Sequence, residues 1–179
     1  MLTDTRNGYG LISILLHWAA AVAIGYLWIS GQSIEHSGDS NRLAHIAMGS
    51  GLAILLLARV LWRAFSTSPA PLSGSRVLNV VASAVKGLLL LDILIAIATG
   101  FLIVWFEGRA VDVFGVWSLP SPFAANHALG GPMRGIHSLS TNLFLPLVGL
   151  HVLGALKHIV WDRDGTFGRM IWPRRNETA

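Results

Sequence analysis

GIHSLSTNLFLPLVGLHVLGALKH, residues 135–158, is the stretch on which the reading of the fold turns. No Asp, Glu, Lys or Arg interrupts it between Arg134 and Lys157. A bilayer crossing needs about 20 such residues as a helix. Lipid offers nothing to backbone N–H and C=O groups, so a spanning segment is a helix or a strand of a closed barrel. Barrel strands alternate apolar and polar residues; this one does not, and neither do LAILLLARVLW or LLLLDILIAIATGFLIVW elsewhere in the chain. Working outward, the sequence predicts four spans, at about Gly10–Ser30, Asn41–Ala64, Leu78–Phe106 and Arg134–Trp161. The expected architecture is an all-α integral membrane protein, a four-helix bundle forming a single domain over residues 1–179.

Composition agrees. Of 179 residues, 53% are hydrophobic and 12% charged, about half the charge of an ordinary soluble domain, and mean hydropathy is +0.60. Disorder is excluded by the apolar content. The net charge of +4 reflects few acids rather than a basic stripe, which argues against nucleic acid as a partner. The first span is longer than the 7–15 apolar residues of a secretory signal and is preceded only by Arg6 against Asp4, so it reads as a retained anchor.

Charge orients the spans. With the amino terminus inside, Arg6, Arg59, Arg63, Arg76, Lys86, Lys157, Arg163, Arg169, Arg174 and Arg175 lie on or toward the cytoplasm. Only Arg42, Arg109 and Arg134 lie on the other side, beside Glu35, Asp39, Glu107 and Asp112. This bias predicts that both termini are cytoplasmic. The external Glu107–Met133 connection carries FGVWSLPSPF, which reads as an aromatic interfacial stretch.

With no cysteine, disulfides, iron–sulfur clusters, thiolate zinc and C-x-x-C-H haem attachment are all excluded. Any metal is held by histidine or oxygen. Histidine inside a span is costly and marks function. His137 and His151 are fourteen residues apart, about 40° short of four full turns, so they share a face about 21 Å apart along the axis. His45 is expected at the outer level with His137, and His17 at the inner level with His151. Small residues lie near these positions, among them Ala21, Gly49, Gly149, Gly154 and Ala155. Two facing imidazoles clamp a haem iron from both sides and leave no open position, which suits electron transfer. Interhelical hydrogen bonds or a proton relay would also use such histidines. Zinc or copper is a further alternative, but carboxylate and sulfur ligands are lacking at those depths. The favoured cofactors are two non-covalent, bis-histidine b-type haems.

At ISILLHW around His17, LAHIAMGSGLAILLLARVLWR opened by His45, and the quoted segment with His137 and His151, the chain resembles the bacterial cytochrome b561 family. The resemblance covers essentially the whole chain. It implies a four-helix di-haem protein of the bacterial inner membrane, with His17 and His151 on the inner haem and His45 and His137 on the outer one. It also implies electron transfer between an external donor and ubiquinone. In the superoxide oxidase branch, superoxide is oxidised to O₂. Related cytochromes serve instead as membrane subunits linking a dehydrogenase or hydrogenase to quinone.

Around those positions Arg59, fourteen residues after His45, either pairs with a haem propionate or snorkels to headgroups. Lys86 meets a propionate or a quinone carbonyl, or snorkels. His158 is either a quinone hydrogen-bond donor or a surface histidine beside Lys157. Asp92 falls between the haem levels and is expected to be protonated or hydrogen-bonded. Arg42 and Arg134, each three residues before an outer histidine, either steer an anion such as superoxide or pair with propionates. His36 and His127 are expected in external loops as surface residues.

Overall fold

The computed structural model describes residues 1–37, 39–72 and 75–173, the side chains of 35–37 and 39 apart. Arg174, Arg175 and the side chains of Glu35, His36 and Asp39 therefore lie outside the described residues. Four helices run α1 (Leu11–Ser37), α2 (Asp39–Phe65), α3 (Arg76–Phe106) and α4 (His127–Lys157). Each is long and apolar enough to cross a membrane. A small antiparallel hairpin, β1 (Val111–Val113) and β2 (Trp117–Leu119), lies between α3 and α4. The chain closes with a π-helical turn at His158–Asp162 and a 3₁₀ turn at Gly168–Met170.

Two helices are longer than their sequence pattern suggests. Helix α1 continues past Ser30, with the Ser30 and Ser33 hydroxyls donating back to the Leu27 and Ser30 carbonyls at 3.1 and 2.8 Å. His36 thus lies in its last turn, not in a loop. Helix α4 starts at His127, which is also helical rather than looped, although exposed. Gly130, Gly131 and Pro132 read as breakers, yet the Asn126 carbonyl accepts from the Leu129 and Gly130 amides at 3.1 and 3.3 Å. That closes the first turn, and Pro132 forfeits only one bond near a free end.

The first ten residues fold over the start of α1. The Leu11 and Ile12 amides donate to the Met1 and Leu2 carbonyls at 3.1 and 3.2 Å, satisfying helix-start donors that have no intrahelical partner. Asp4 accepts from the Gly10 amide (2.8 Å) and the buried Ser13 hydroxyl (2.6 Å). Trp62 Nε1 of α2 donates to that same Ser13 oxygen at 2.7 Å. The Ala70 amide donates to the Arg6 carbonyl, Arg169 to the Ala70 carbonyl, and Trp18 Nε1 to the Met170 carbonyl, at 2.9, 2.8 and 2.8 Å. Amino terminus, α2–α3 connection and carboxyl-terminal turns thus share one end of the bundle, the terminal end. The strands lie at the other, the hairpin end.

The FGVWSLPSPF segment is not uniformly irregular. Val113 pairs with Trp117 across a turn in which Phe114 and Gly115 both take positive φ, 54° and 71°. The Phe114 amide donates to the Ala47 carbonyl of α2 at 3.1 Å, Ser50 Oγ donates to the Asp112 carbonyl, and the Phe114 ring occupies the space a Cβ on Gly51 would need. VDVFGVW alternates around a glycine, which is the period-2 signal that could have revealed the strands.

Packing is heaviest within two hairpins, α1 on α2 and α3 on α4, with α2 joining them through α3. The core is slim: Ala20, Ala23, Leu56 and Ile93, with Leu27, Leu52 and Phe144 packed around it. Leu15, Val22, Ile29, Ile54 and Leu61 face outward, as lipid allows and water does not. No residue in the most apolar stretch of α4 is buried. That helix carries two of the four intramembrane histidines.

Candidate functional site

The four intramembrane histidines form two cross-helix pairs. His45 of α2 and His137 of α4 face each other at the hairpin end, ring centroids 6.5 Å apart and planes at 85°. His17 of α1 and His151 of α4 do the same at the terminal end, at 6.1 Å and 65°. All four rings are half-buried. Two rings on opposite sides of one metal, each with a bond of about 2 Å and about 1.1 Å from ring nitrogen to ring centre, would have centroids about 6.2 Å apart. Both separations match.

At the hairpin end hydrogen-bonding groups reach both Nδ1 atoms. Ser30 Oγ lies 3.1 Å from the Leu27 carbonyl, to which it can donate, and 2.9 Å from His45 Nδ1. Thr99 Oγ1 likewise donates to the Ile95 carbonyl (2.6 Å) and accepts from His137 Nδ1 at 3.0 Å. The Ala96 carbonyl lies at 3.0 Å from the same nitrogen. The carbonyl can only accept, so His137 Nδ1 carries hydrogen and its Nε2 presents a lone pair; with a metal on Nε2, His45 Nδ1–H would likewise donate to Ser30.

A cavity of about 520 Å³ opens around this pair, inside the 300–1,000 Å³ range of cofactor pockets. Its walls include Arg42, Arg134, Asp92 and Glu107. Glycine makes the room. A Cβ on Gly31 would stand 3.3 Å from His45 Cε1, and one on Gly100 would stand 3.5 Å from His137 Cε1. Trp28 Nε1, also in the wall, is buried and has no hydrogen-bond partner among the described residues. At the terminal end, Arg59 Nη1 is likewise buried and unpartnered. Arg59 acts electrostatically on both His17 and His151. Both levels thus pair facing imidazoles with an orphaned N–H donor. That combination fits a macrocycle carrying a central metal and anionic side groups.

Lys86 is exposed on α3 yet within electrostatic range of His151. Asp92 is buried and accepts from Ser140 Oγ at 2.7 Å. Arg134 is ion-paired with Glu107, and Arg109 approaches the same carboxylate at 3.4 Å. His158 is held in a carboxylate cluster, its Nδ1 lying 2.8 Å from Asp164 and 3.1 Å from Asp162, with Lys157 on Asp162 at 2.6 Å. The turn closes because Arg163 adopts the left-handed region at φ 48°, folding Asp164 back. Burial opposes ionisation of Asp164, but hydrogen bonds from Thr166 and the His158 ring outweigh it and hold the carboxyl below its usual range. Trp28, Ser30, Thr99 and Asp164 were not singled out in the sequence, where one hydroxyl, indole or carboxylate carries no signal of its contacts.

A sequence profile described as prokaryotic cytochrome b561 matches residues 8–173. The chain is 30% identical to cytochrome b561 homolog 2 of Escherichia coli (strain K12), over 94% of each chain. It is 25% identical to the probable superoxide oxidase CybB of Yersinia pestis and 29% identical to cytochrome b562 of Cereibacter sphaeroides. Each of those matches covers 93% of this chain and 97% of the relative.

Proposed function

The chain belongs to the prokaryotic cytochrome b561 family, membrane b-type cytochromes of electron transfer, and from that premise we propose that it carries electrons from an external donor to ubiquinone through two haems b. His45 and His137 ligate one haem at the hairpin end, and His17 and His151 the other at the terminal end. The observation that carries the reading is the pair of imidazole separations, 6.5 and 6.1 Å. The protein sits in the bacterial inner membrane with both termini cytoplasmic, so the hairpin end is external.

Superoxide is the donor the reading favours, and a relative named probable superoxide oxidase supports it. The balance is two superoxide anions, one quinone and two protons giving two O₂ and one quinol. The haems, when bound, supply one-electron transfer between the two faces. The chain's own residues do the rest. Arg42 and Arg134 at the external cavity attract the anion. Arg59 offers its free N–H to a propionate. His158, in the doubly protonated form that donates Nδ1–H to Asp164, has an Nε2–H to hand to quinone at the cytoplasmic edge, and Lys86 meets a quinone or propionate oxygen there.

Haem extraction from purified protein tests the core claim: two protoporphyrins per chain are expected, and fewer would sink it. His45→Ala and His137→Ala should remove the hairpin-end haem, and His17→Ala and His151→Ala the other. Superoxide should reduce the isolated protein, and quinone should reoxidise it. A second reading, a cytochrome subunit of a dehydrogenase, draws on the exposed hairpin tip, where Val116 and Trp117 are 88% and 79% exposed. Failure with superoxide together with co-purification of a dehydrogenase would favour it.

A further inference from the structure

The two histidine pairs are supported differently. At the hairpin end each Nδ1–H has an acceptor, Ser30 Oγ for His45 and Thr99 Oγ1 with the Ala96 carbonyl for His137. At the terminal end neither His17 nor His151 has a hydrogen-bond partner among the described residues. Their ring contacts are with Trp18 and with each other.

Resting on the two-haem reading above, we propose that Ser30 and Thr99 are positioning residues that set the hairpin-end haem at the lower reduction potential. Electrons then run downhill from the hairpin end to the terminal end. A hydrogen bond from Nδ1–H makes the imidazole a stronger donor, which stabilises oxidised iron and lowers its potential. The direction of flow is thus built into the helix contacts at the hairpin end.

The test is an equilibrium redox titration of the purified two-haem protein, followed through the reduced α-bands. Two waves are expected. Ser30→Ala should raise the lower wave by up to about tenfold in its reduction equilibrium, 59 mV for one electron, and leave the upper wave in place. Ser30→Thr, which keeps the hydroxyl, should restore it. Thr99→Val should shift the same wave by less, because Ala96 still accepts. If Ser30→Ala moves the upper wave, or neither wave with both haems retained, the proposal is overturned. If Ser30→Ala sheds a haem, Thr99→Val decides by the same criterion. Haem content separates the two failures: fewer than two haems in the unmodified protein refutes the two-haem reading itself.

Discussion

Gly31 gives the sharpest test of how the hairpin-end cavity is built. A Cβ there would stand 3.3 Å from Cε1 and 3.7 Å from Nδ1 of His45. Gly31→Ala therefore asks the ring to yield a few tenths of an ångström. Gly31→Val adds two methyl groups about 1.5 Å beyond that carbon, where they must meet the imidazole or fill the cavity, and a β-branched side chain has little rotamer freedom in a helix. Overpacking of this kind costs about 1–3 kcal/mol, which corresponds to roughly 5- to 150-fold weaker retention of a bound group. Haem per chain, measured on extracted pigment, should fall from two toward one in Gly31→Val with the terminal-end spectrum intact. Gly31→Ala should stay close to two. Gly25→Ala on the same helix, where a Cβ meets nothing within 4 Å, is the control. Two full haems in Gly31→Val, or loss of the terminal-end haem, would refute the reasoning.

Ser140→Ala removes the hydroxyl that donates to buried Asp92 and should cost about 1–3 kcal/mol, read as a lower midpoint of thermal haem release. Ser140→Thr should recover most of it. Trp62→Phe keeps an aromatic side chain, though a smaller one, and strips the donor to Ser13. It should cost about 1 kcal/mol and expose residues 1–10 to protease, whereas unchanged proteolysis would deny that bond its role. Because the Asp164 carboxyl is held below its usual range, its contribution is present above the ordinary carboxylate range and is lost as pH falls through the depressed value. Amide exchange across residues 158–166 should therefore accelerate in acid relative to the helices, and Asp164→Asn should erase that pH dependence.

How much of this was legible in the chain depends on range. Four spans follow from runs such as LLLLDILIAIATGFLIVW, because lipid leaves a backbone one local solution. The placement of His137 and His151 on one face of α4 follows equally from the helical repeat. The helix ends did not, since Ser33 and Asn126 capture backbone groups in ways that composition does not encode. Nor did the β1–β2 hairpin, whose strands depend on docking to Ala47 and Ser50 of α2. The sequence by itself determined that four apolar helices cross a membrane with histidine at two depths, since hydropathy and helical period act within a single segment. Only tertiary structure decided that each histidine meets a partner at 6.1 or 6.5 Å, that Ser30 and Thr99 orient one pair alone, and that Asp164 reaches His158. Those contacts depend on helix rotation and approach, which are settled by packing between segments far apart in the chain.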